Sequence, residues 1–353
     1  MKRRTLISGN EAFAEAAIRA GCGFYAGYPI TPQNELIEYM SRRMIAEGKV
    51  FVQAESELAS INMIFGASLS GVRCMTSSSS PGISLMQEGI SYLAGCELPA
   101  VIVNVMRGGP GLGNIAPSQA DYFQSTRGGG HGDYRTIVLA PSTVAEIVKL
   151  TPLAFELADK YRNVVLLLGD GILGQMMEAV DEDLFDIKTK EYPKPWALRG
   201  CEGRAPQSIK SLYLAPGALE EVNLRLEAKY NQIREEEVRY QELIDKNTRV
   251  VLVAYGTVAR LCRGVIRKLR SENINVGLFR PITLWPFPNQ RLSEISKTVK
   301  KFLVLEMSTG QMIDDVRIVL DRSAEIEFLG RTGGSIFSED EIIAKIKKML
   351  KIK

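Results

Sequence analysis

Short, almost continuously apolar segments alternate with longer amphipathic segments along the first half of the chain. Residues 99–106 (PAVIVNVM) and 164–170 (VVLLLGD) are typical of strands, because β-branched and aliphatic residues fill them with little polar alternation. Such strands are buried on both faces, as in a parallel sheet that is covered by helices. The pattern therefore predicts an α/β fold with a parallel sheet for this half of the chain.

Six strands are predicted in the first half, with helices between them. The predicted strands are GFYAGYPI, KVFVQA, GVRCMTSS, PAVIVNVM, TIVLAPS and VVLLLGD. The predicted helices cover 9–21, a stretch that begins at Thr31-Pro32, 57–70, 82–95 and 143–160. Asn10 is expected to cap the first helix, which closes at Gly21, and Pro32 suits the first helical position of the second.

Two regions interrupt this alternation. Glycine and polar residues dominate 107–133, and a stretch of this length without regular structure is usually functional or mobile. Residues 181–247 combine an irregular stretch with a charged helical segment, Ala218–Asp245. That segment is expected to be a solvated connecting helix, with a coiled-coil-like arm as the alternative. We interpret 181–247 as a linker.

A second α/β unit follows the linker. The order strand, glycine-containing turn, helix and strand in RVVLVAYGTVARLCRGVIRKLRSENINVGLFRPITLWPF is typical of a βαβ unit. KFLVLEMS is a further predicted strand, and a helix is expected from about Gly310. The predicted organisation is therefore a first domain at 1–180, a linker at 181–247 and a second domain at 248–353.

Composition excludes several classes of protein. The 353 residues include 45% hydrophobic and 24% charged residues, as in ordinary soluble globular proteins. The net charge of +3 gives no electrostatic argument for a nucleic-acid or membrane partner. Neither a signal-peptide pattern nor a run of about 18 apolar residues is found, so we expect no membrane association.

The cysteines and the single histidine limit the possible chemistry. The cysteines are Cys22, Cys74, Cys96, Cys201 and Cys262. Because they are far apart and form no CxxC pair, we expect reduced, buried thiols in a cytoplasmic protein, with no ligands for a metal or a cluster. His131 is the only histidine, which makes a Ser-His-Asp triad or a His-rich metal site improbable.

Four polar, glycine-containing segments follow predicted strands of the first half. They are YPITP (28–32), AESE (54–57), TSSSSPG (76–82) and MRGGPGLGN (106–114). Ligands of open α/β sheets bind at the carboxyl ends of the strands, so these segments predict a polar, glycine-lined pocket. The pocket contains one carboxylate, Glu57, and one guanidinium, Arg107.

Each of these charged residues has a functional and a purely structural interpretation. Ser56 is the predicted cap of a helix whose first residue is Glu57, where a carboxylate complements the helix dipole. In a cleft, Glu57 could instead hold a proton for a ligand nitrogen. Arg107 could bind a carboxylate through two parallel hydrogen bonds, or could be an ordinary loop residue.

Several of these motifs together resemble one enzyme family. YPITP, the ExELASINMIFGAS helix, TSSSSPGISLMQEGI, the RGGPG loop and VVLLLGD resemble the α subunit of 2-oxoacid:ferredoxin oxidoreductases. The segments AYGTVAR, LFRPITLWPFP, VLEMSTGQM and GRTGG resemble the second domain of that subunit. The resemblance covers nearly the whole chain. It implies a parallel-sheet pyrimidine-type domain for thiamine diphosphate, followed by a smaller, transketolase C-terminal-like α/β domain.

The resemblance also assigns roles to residues. The activating glutamate of the family falls on Glu57, whose carboxyl group would share a proton with N1′ of the aminopyrimidine and so activate C2 of the thiazolium. Thr31 matches a threonine near the substrate carbonyl, although it could equally cap a helix. Arg107 matches a substrate-carboxylate arginine. Tyr28, Pro29 and Ile30 belong to the cofactor-binding loop.

Two further residues have less certain roles. Glu88, in SLMQEGI, is a candidate for supporting the cofactor or for contacting another subunit, with a solvated helix glutamate as the alternative. His131 lies in GGGHGD, where a role near the substrate and no catalytic role are both open.

The same family implies partner chains. Gly169-Asp170-Gly171 resembles the start of a magnesium-binding motif, but the next asparagine is Asn223, which is too distant. The magnesium–diphosphate site is therefore expected on a β subunit, and the 4Fe-4S clusters on partners that include a γ subunit and a ferredoxin-like δ subunit. The implied reaction converts a 2-oxo acid and coenzyme A to acyl-coenzyme A and CO₂, with reduction of ferredoxin.

Several alternatives stay open at this point. Within the family, 2-oxoisovalerate enzymes resemble the chain most, and 2-oxoglutarate and pyruvate enzymes are alternatives. A component of lipoamide-linked 2-oxoacid dehydrogenases is a second possibility, and a non-catalytic scaffold subunit is a third. The retained Glu57 and Thr31 argue against the scaffold.

Overall fold

The computed structural model describes residues 3–352, which form 14 strands and 12 α-helices. The strands are β1 (Arg4–Ser8), β2 (Phe24–Gly27), β3 (Val50–Gln53), β4 (Cys74–Ser78), β5 (Ala100–Met106), β6 (Ile137–Leu139), β7 (Val164–Asp170), β8 (Met177–Asp181), β9 (Tyr240–Leu243), β10 (Val250–Val253), β11 (Val276–Pro281), β12 (Thr283–Trp285), β13 (Lys301–Glu306) and β14 (Glu325–Gly330). The helices are α1 (Gly9–Arg19), α2 (Asn34–Ala46), α3 (Glu57–Leu69), α4 (Ser80–Gly95), α5 (Tyr122–Arg127), α6 (Val144–Tyr161), α7 (Gly171–Gln175), α8 (Ala218–Glu236), α9 (Gly256–Ser271), α10 (Asn289–Thr298), α11 (Met312–Val319) and α12 (Glu339–Leu350).

The N-terminal sheet has the predicted α/β architecture. Its seven strands lie in the order β12-β6-β7-β5-β4-β2-β3, and all pairs except β12–β6 are parallel. Helices α1, α2 and α6 pack together, whereas α3 and α4 pack against each other and against β2, β4 and β5. The central strands β5 and β7 are buried along their whole length. This burial explains why their sequences lack polar alternation.

Two predicted helix starts are wrong. The cap of α1 is Ser8, which forms a capping box with Glu11, and Asn10 lies inside the helix, where its amide donates to Pro32 O at 2.8 Å. Pro32 follows a cis peptide bond and precedes α2, which begins at Asn34. The start of α1 is thus set by the local Ser8–Glu11 capping box, which was not predicted from the sequence, whereas Asn10 makes a contact with the distant Pro32.

A second sheet forms around the C-terminal half, in the order β14-β13-β10-β11-β9. The predicted strand KFLVLEMS corresponds to β13, and the predicted helix from Gly310 is α11. Strand β9 lies inside the stretch interpreted as a linker, and it pairs antiparallel with β11. Strand β12 leaves this half of the chain and pairs with β6 at the edge of the N-terminal sheet. The C-terminal half of the chain thus contributes one short strand to the N-terminal sheet.

Helix α8 is not a solvated arm. It ends at Glu236, and its buried residues recur at helical spacing: Val222, Leu226, Tyr230 and Ile233. The spacing places these side chains on one face, which packs onto the main hydrophobic core. Lys229 extends from the helix to Glu97 and to the carbonyl of Arg162. The helix therefore covers the N-terminal domain instead of connecting two domains through solvent.

Strands β1 and β8 and helix α5 are among the elements that were not expected from the sequence. Strands β1 and β8 form a separate antiparallel ribbon, and the glycine-rich stretch 107–133 contains the short helix α5. These strands are short and half exposed, so their sequences have little apolar patterning.

No helix within residues 3–352 is long and apolar enough to span a membrane. Four of the five cysteines are buried as expected, whereas Cys201 is exposed.

The contact between the two halves, which we call the interdomain seam, contains buried polar residues that form hydrogen bonds across it. Gln119 forms four hydrogen bonds across it, two with Met307 and two with Tyr255, at 2.8–3.1 Å. Arg280 of β11 is fully buried, and its two Nη atoms donate to the Glu146 carboxylate of α6 at 2.7 and 2.6 Å. These contacts fix the position of the C-terminal half relative to the carboxyl edge of the N-terminal sheet.

Candidate functional site

The four polar segments that the sequence singled out lie at one edge of the N-terminal sheet. They follow the carboxyl ends of β2, β3, β4 and β5, which are neighbours in the order β3-β2-β4-β5. The register pairs Gly27 with Gln53 and Ser78 with Asn104, so the four strands end at a similar level. The prediction that these segments lie together is therefore confirmed.

Glu57 is a buried carboxylate at this edge. Ser56 caps α3 through a hydrogen bond from Ala59 N to its hydroxyl at 3.1 Å, and Glu57 is the first helical residue, as predicted. The Glu57 side chain is only 4% exposed. Ser78 Oγ donates to Glu57 Oε1 at 2.9 Å, and no residue within 3–352 donates to Oε2. One carboxylate oxygen is thus held by the protein, and the other is free to accept from a ligand.

The space around this carboxylate depends on a glycine of α4. A Cβ atom at Gly82 would lie 2.0 Å from Ser78 Oγ and 2.2 Å from Glu57 Oε1, far inside van der Waals contact. Only glycine therefore allows α4 to approach the pair this closely. The TSSSSPG segment thus contributes both the serine that binds Glu57 and the glycine that makes room for it.

Arg107 and Thr31 are brought together at the same edge. Arg107 is 7% exposed, and its Nη1 and Nη2 donate to the carbonyls of Thr31 and Leu112 at 3.0 and 3.1 Å. Its Nε has no hydrogen-bond partner, and no carboxylate within residues 3–352 pairs with the guanidinium. Thr31 does not cap a helix, because α2 begins three residues later. The buried positive charge of Arg107 is therefore not neutralised by the described part of the chain.

The YPITP loop is anchored to strand β4 through a buried glutamine. Ser77 Oγ donates to Gln33 Oε1 at 2.6 Å, and Gln33 Nε2 donates to the carbonyl of Tyr28 at 3.4 Å. Tyr28 and Pro29 are exposed and Ile30 is half-buried, so the tip of the loop faces outward from the sheet edge. Consecutive serines of β4 therefore serve two purposes, since Ser77 supports the loop and Ser78 binds Glu57.

The sequence did not predict a cluster of three polar residues that lies beneath Arg107. Asn104 and Ser80 donate to the Asp121 carboxylate at 2.9 and 2.6 Å, and Ser80 Oγ also accepts from Arg107 N at 3.0 Å. Burial raises the pKa of Asp121, although these two hydrogen bonds act in the opposite direction. Asp121 is separated from Ser80 by 41 residues, so no local sequence signal connects them.

Glu88 and His131 lie away from this centre. Glu88 is exposed on α4, six residues after Gly82, and accepts a hydrogen bond from Tyr92 at 2.7 Å. His131 is also exposed, and its ring packs edge-to-face against Tyr92, with 6.4 Å between ring centroids. Neither residue contacts Glu57, Thr31 or Arg107. The role of Glu88 in cofactor binding stays a prediction.

The Gly169-Asp170-Gly171 motif serves a structural purpose in this chain. Asp170 Oδ1 accepts from the backbone nitrogens of Ile172 and Leu173 at 3.0 and 3.1 Å, which caps α7. Asp170 is buried, and burial raises its pKa. Within residues 3–352, no group of three or more metal-ligating side chains could hold a metal ion.

Large apolar side chains are exposed next to the site. Leu58 follows Glu57 and is 47% exposed, and Leu85 lies one helical turn after Gly82 and is 54% exposed. Leu112, whose carbonyl binds Arg107, is 81% exposed, and nearby Ile115 is 62% exposed. We call this group of four residues the apolar rim. Exposed apolar groups that surround a polar pocket are typical of a protein–protein contact.

Comparison with known proteins identifies the family. The model of the thiamine-diphosphate-binding domain of pyruvate flavodoxin/ferredoxin oxidoreductases matches residues 15–243. The model of core domain II of pyruvate:ferredoxin oxidoreductases matches residues 248–342. Together the two matches span both sheets of the chain, so the predicted thiamine-dependent family and its two-part α/β fold are confirmed.

Individual relatives agree with this result. The chain is 48% identical to the ketoisovalerate oxidoreductase subunit VorB of Methanothermobacter thermautotrophicus, over 98% of this chain and 97% of the relative. It is 36% identical to the 2-oxoglutarate synthase subunit KorA of Methanothermobacter marburgensis, over 99% of this chain and 100% of that relative.

A solved structure shows the same fold. The 2-oxoglutarate:ferredoxin oxidoreductase of Magnetococcus marinus, with 2-oxoglutarate, coenzyme A and succinyl-CoA bound, superimposes with a TM-score of 0.89 at 27% identity. The match covers 98% of this chain and 65% of the other. The chain therefore belongs to the 2-oxoacid:ferredoxin oxidoreductase family and is a subunit of such an enzyme.

Proposed function

We propose that this chain binds the pyrimidine half of thiamine diphosphate and serves a complex that oxidises 2-oxoisovalerate to an acyl-coenzyme A. The observation that carries the proposal is the Glu57 carboxylate, which is buried, held through Oε1 and free at Oε2. A buried carboxylate without a second donor fits a ligand nitrogen that shares a proton with it. The choice of 2-oxo acid rests on the 48% identity to a ketoisovalerate oxidoreductase subunit.

Glu57 is the group through which this chain acts on the cofactor. When bound, thiamine diphosphate supplies a nucleophilic thiazolium carbon and an electron sink for decarboxylation. Glu57 holds the proton that the pyrimidine nitrogen exchanges. The apolar surroundings of α3 and α4 keep water from competing for that proton. The Tyr28-Pro29-Ile30 tip packs against the cofactor from the β2 side of the pocket.

Arg107 and Thr31 act on the substrate. The guanidinium of Arg107 has no carboxylate partner within residues 3–352, so its positive charge is available to the carboxylate of a 2-oxo acid. Its Nη1 atom donates to the carbonyl of Thr31, so the two residues are neighbours at the sheet edge. The pair therefore orients the 2-oxo acid with its carboxylate toward Arg107 and its carbonyl toward Thr31.

The complex is completed by other chains. A β subunit covers the apolar rim and supplies the magnesium–diphosphate site, so that the cofactor lies between the two chains. A γ subunit and a ferredoxin-like δ subunit with 4Fe-4S clusters carry the electrons to ferredoxin. Glu88, exposed beside Leu85 on α4, is a contact with the β subunit in this arrangement. The assembly functions in the cytoplasm.

The test is turnover by the complex that co-purifies with a tagged form of this chain. Reduction of ferredoxin or a viologen dye is measured with coenzyme A and 2-oxoisovalerate, 2-oxoglutarate or pyruvate, with and without added thiamine diphosphate. We expect thiamine-dependent reduction with the highest kcat/KM for 2-oxoisovalerate. The highest kcat/KM for 2-oxoglutarate would overturn the choice of substrate and favour the function named for the 36%-identical relatives. Absence of reduction with every 2-oxo acid, in a complex with intact clusters, would contradict the proposed reaction.

A further inference from the structure

The hydroxyl of Ser78 is the only donor that the described chain offers to the Glu57 carboxylate. Ser78 is the last residue of β4 and is fully buried, and its Oγ lies 2.9 Å from Glu57 Oε1. A serine hydroxyl has a single hydrogen, and no other acceptor within residues 3–352 competes for it. The donor is therefore committed to one oxygen of the carboxylate.

The neighbouring helix restricts the carboxylate further. Gly82 of α4 approaches so closely that an added Cβ would lie 2.2 Å from Glu57 Oε1 and 2.5 Å from its Cδ. The backbone of α4 thus forms a wall against the same oxygen that Ser78 binds. Ser78 binds Oε1 on one side and the backbone of α4 blocks it on the other. Oε2 is therefore the atom that can contact a ligand.

We propose that Ser78, together with the wall at Gly82, is a positioning residue that selects which oxygen of Glu57 meets the pyrimidine nitrogen. A glutamate side chain has several accessible rotamers, and each one excluded before binding lowers the entropic cost of reaching the reactive arrangement. The inference rests on the proposed function of Glu57. It assigns Ser78 no contact with the cofactor or the substrate.

A purely structural role for Ser78 makes a different prediction. A buried hydroxyl that only satisfied a neighbouring acceptor would affect stability and leave the reactivity of the cofactor unchanged. Ser68 offers the matched control, since it is also fully buried, lies at the other end of the same helix α3 and donates to Pro99 O at 2.7 Å. Ser78→Ala and Ser68→Ala each remove one buried hydroxyl that has one acceptor.

Two readouts separate positioning from stability, both measured on the assembled complex. The first is the rate at which the C2 proton of bound thiamine diphosphate exchanges with D₂O, which requires neither 2-oxo acid nor electron transfer. The second is the affinity for thiamine diphosphate relative to an analogue that has carbon in place of N1′. This ratio reports the contact between Glu57 and the pyrimidine nitrogen without any turnover. The melting temperature of each variant is recorded alongside.

We expect Ser78→Ala to slow C2 exchange about tenfold or more and to lower the preference for the natural cofactor. Ser68→Ala should lower the melting temperature by a similar amount and leave both readouts at the wild-type value. Gly82→Ala should also slow exchange, because its methyl group displaces the Glu57 carboxylate, while alanine favours the helix. This second variant keeps the test informative if Ser78→Ala assembles poorly.

Three outcomes would overturn one or the other of these claims. If Glu57→Gln abolishes C2 exchange while Ser78→Ala and Gly82→Ala exchange at the wild-type rate, the positioning role is wrong and the proposed function stands. An equal loss in Ser78→Ala and Ser68→Ala would also reject positioning, because a general loss of packing then explains both. Wild-type exchange in Glu57→Gln would reject the proposed function itself.

Discussion

Two buried arginines show how the interdomain seam differs from the sheet edge around Glu57. Arg280, in the seam, is fully buried and pairs with both oxygens of Glu146. Arg107, at the sheet edge, is 7% exposed, and within residues 3–352 its guanidinium donates to two backbone carbonyls and to no carboxylate. Both have an Nε without a partner, so the unpaired Nε alone distinguishes nothing. The difference is that the Glu146 carboxylate neutralises the charge of Arg280, whereas the charge of Arg107 is left for a ligand.

Two buried carboxylates repeat the contrast. Glu306, at the end of β13, accepts from the backbone nitrogens of Gln311, Met312 and Ile313 and from the hydroxyl of Ser308. Among the residues that the structure describes, the Glu57 carboxylate accepts from Ser78 alone. Burial raises the pKa of Glu306, and its backbone donors offset part of that effect.

The comparison teaches where to look for function. Buried charges are costly unless they are paired and hydrogen-bonded, so a folded chain satisfies them internally wherever structure is their only purpose. Charges that stay unpaired beside exposed apolar side chains indicate that another molecule completes the site. The following predictions test that interpretation, from the largest expected effect to the smallest.

Glu57→Gln tests the unpaired carboxylate. Glutamine has nearly the same shape and can still accept from Ser78, but it cannot hold the exchanging proton. We expect turnover of the assembled complex to fall about 1000-fold, which corresponds to roughly 4 kcal/mol of lost transition-state stabilisation. Steady-state viologen reduction, normalised to the amount of complex, measures the change. Glu55→Gln, in the same segment but exposed, is the control and should retain turnover. Full activity of Glu57→Gln would contradict the assignment.

Glu146→Gln tests the paired charges of the seam. The change leaves Arg280 buried without a charged partner, and we expect the free energy of unfolding to fall by about 3 kcal/mol. Denaturant unfolding measures this loss, and kcat per folded complex should stay within about twofold of wild type.

Glu11→Gln is the matched control for the seam variant. Glu11 and Glu146 each accept from the backbone nitrogen and the hydroxyl of a serine near a helix start, Ser8 and Ser142 respectively. Glutamine can preserve such a capping contact, so the two variants differ mainly in the arginine. Equal destabilisation of both would show that the Arg280 pair adds little.

Arg107→Lys tests the unpaired arginine. Lysine keeps the positive charge and loses the planar arrangement of donors that binds a carboxylate through two hydrogen bonds. We expect the KM for the 2-oxo acid to rise about tenfold, which is about 1.4 kcal/mol, with little change in melting temperature. Arg127→Lys, exposed at the end of α5 and paired with Asp315, is the control and should leave the KM unchanged. A fall in stability without a change in KM would make Arg107 a structural residue.

Acid pH should reduce the difference in melting temperature between the wild type and Glu146→Gln. Burial raises the pKa of the Glu146 carboxyl, but the hydrogen bonds and charge of Arg280 outweigh this and hold the pKa below its ordinary value of 4.5. The pair therefore stabilises the fold fully above pH 4.5 and loses this contribution as the pH falls below that value. Melting temperatures of both complexes, measured from pH 7 down to pH 4, should differ less at the acid end than at pH 7. A constant difference across this range would contradict the linkage.

The sequence was informative where structure follows from local pattern. The continuous apolar runs of β5 and β7 predicted a buried parallel sheet, and the polar segments after the strands were correctly predicted to lie at one edge of that sheet. Ser56 was recognisable as a helix cap because the serine side chain accepts within its own turn. Predictions failed where distant segments compete with local preference. Pro32 follows a cis peptide bond and does not start α2. Helix α8, which was expected to be solvated, buries one face that includes Tyr230.

The sequence by itself determined the fold class, the family and the identity of the two charged residues at the sheet edge. Those features depend on residue type and on spacing along the chain. Only the tertiary structure decided that Glu57 has one free oxygen, that Arg107 lacks a carboxylate and that Asp121 lies beneath it through Ser80. Whether a buried charge is satisfied depends on which distant side chains reach it, and the strand order that brings residues such as Ser80 and Asp121 together is not encoded in either neighbourhood alone.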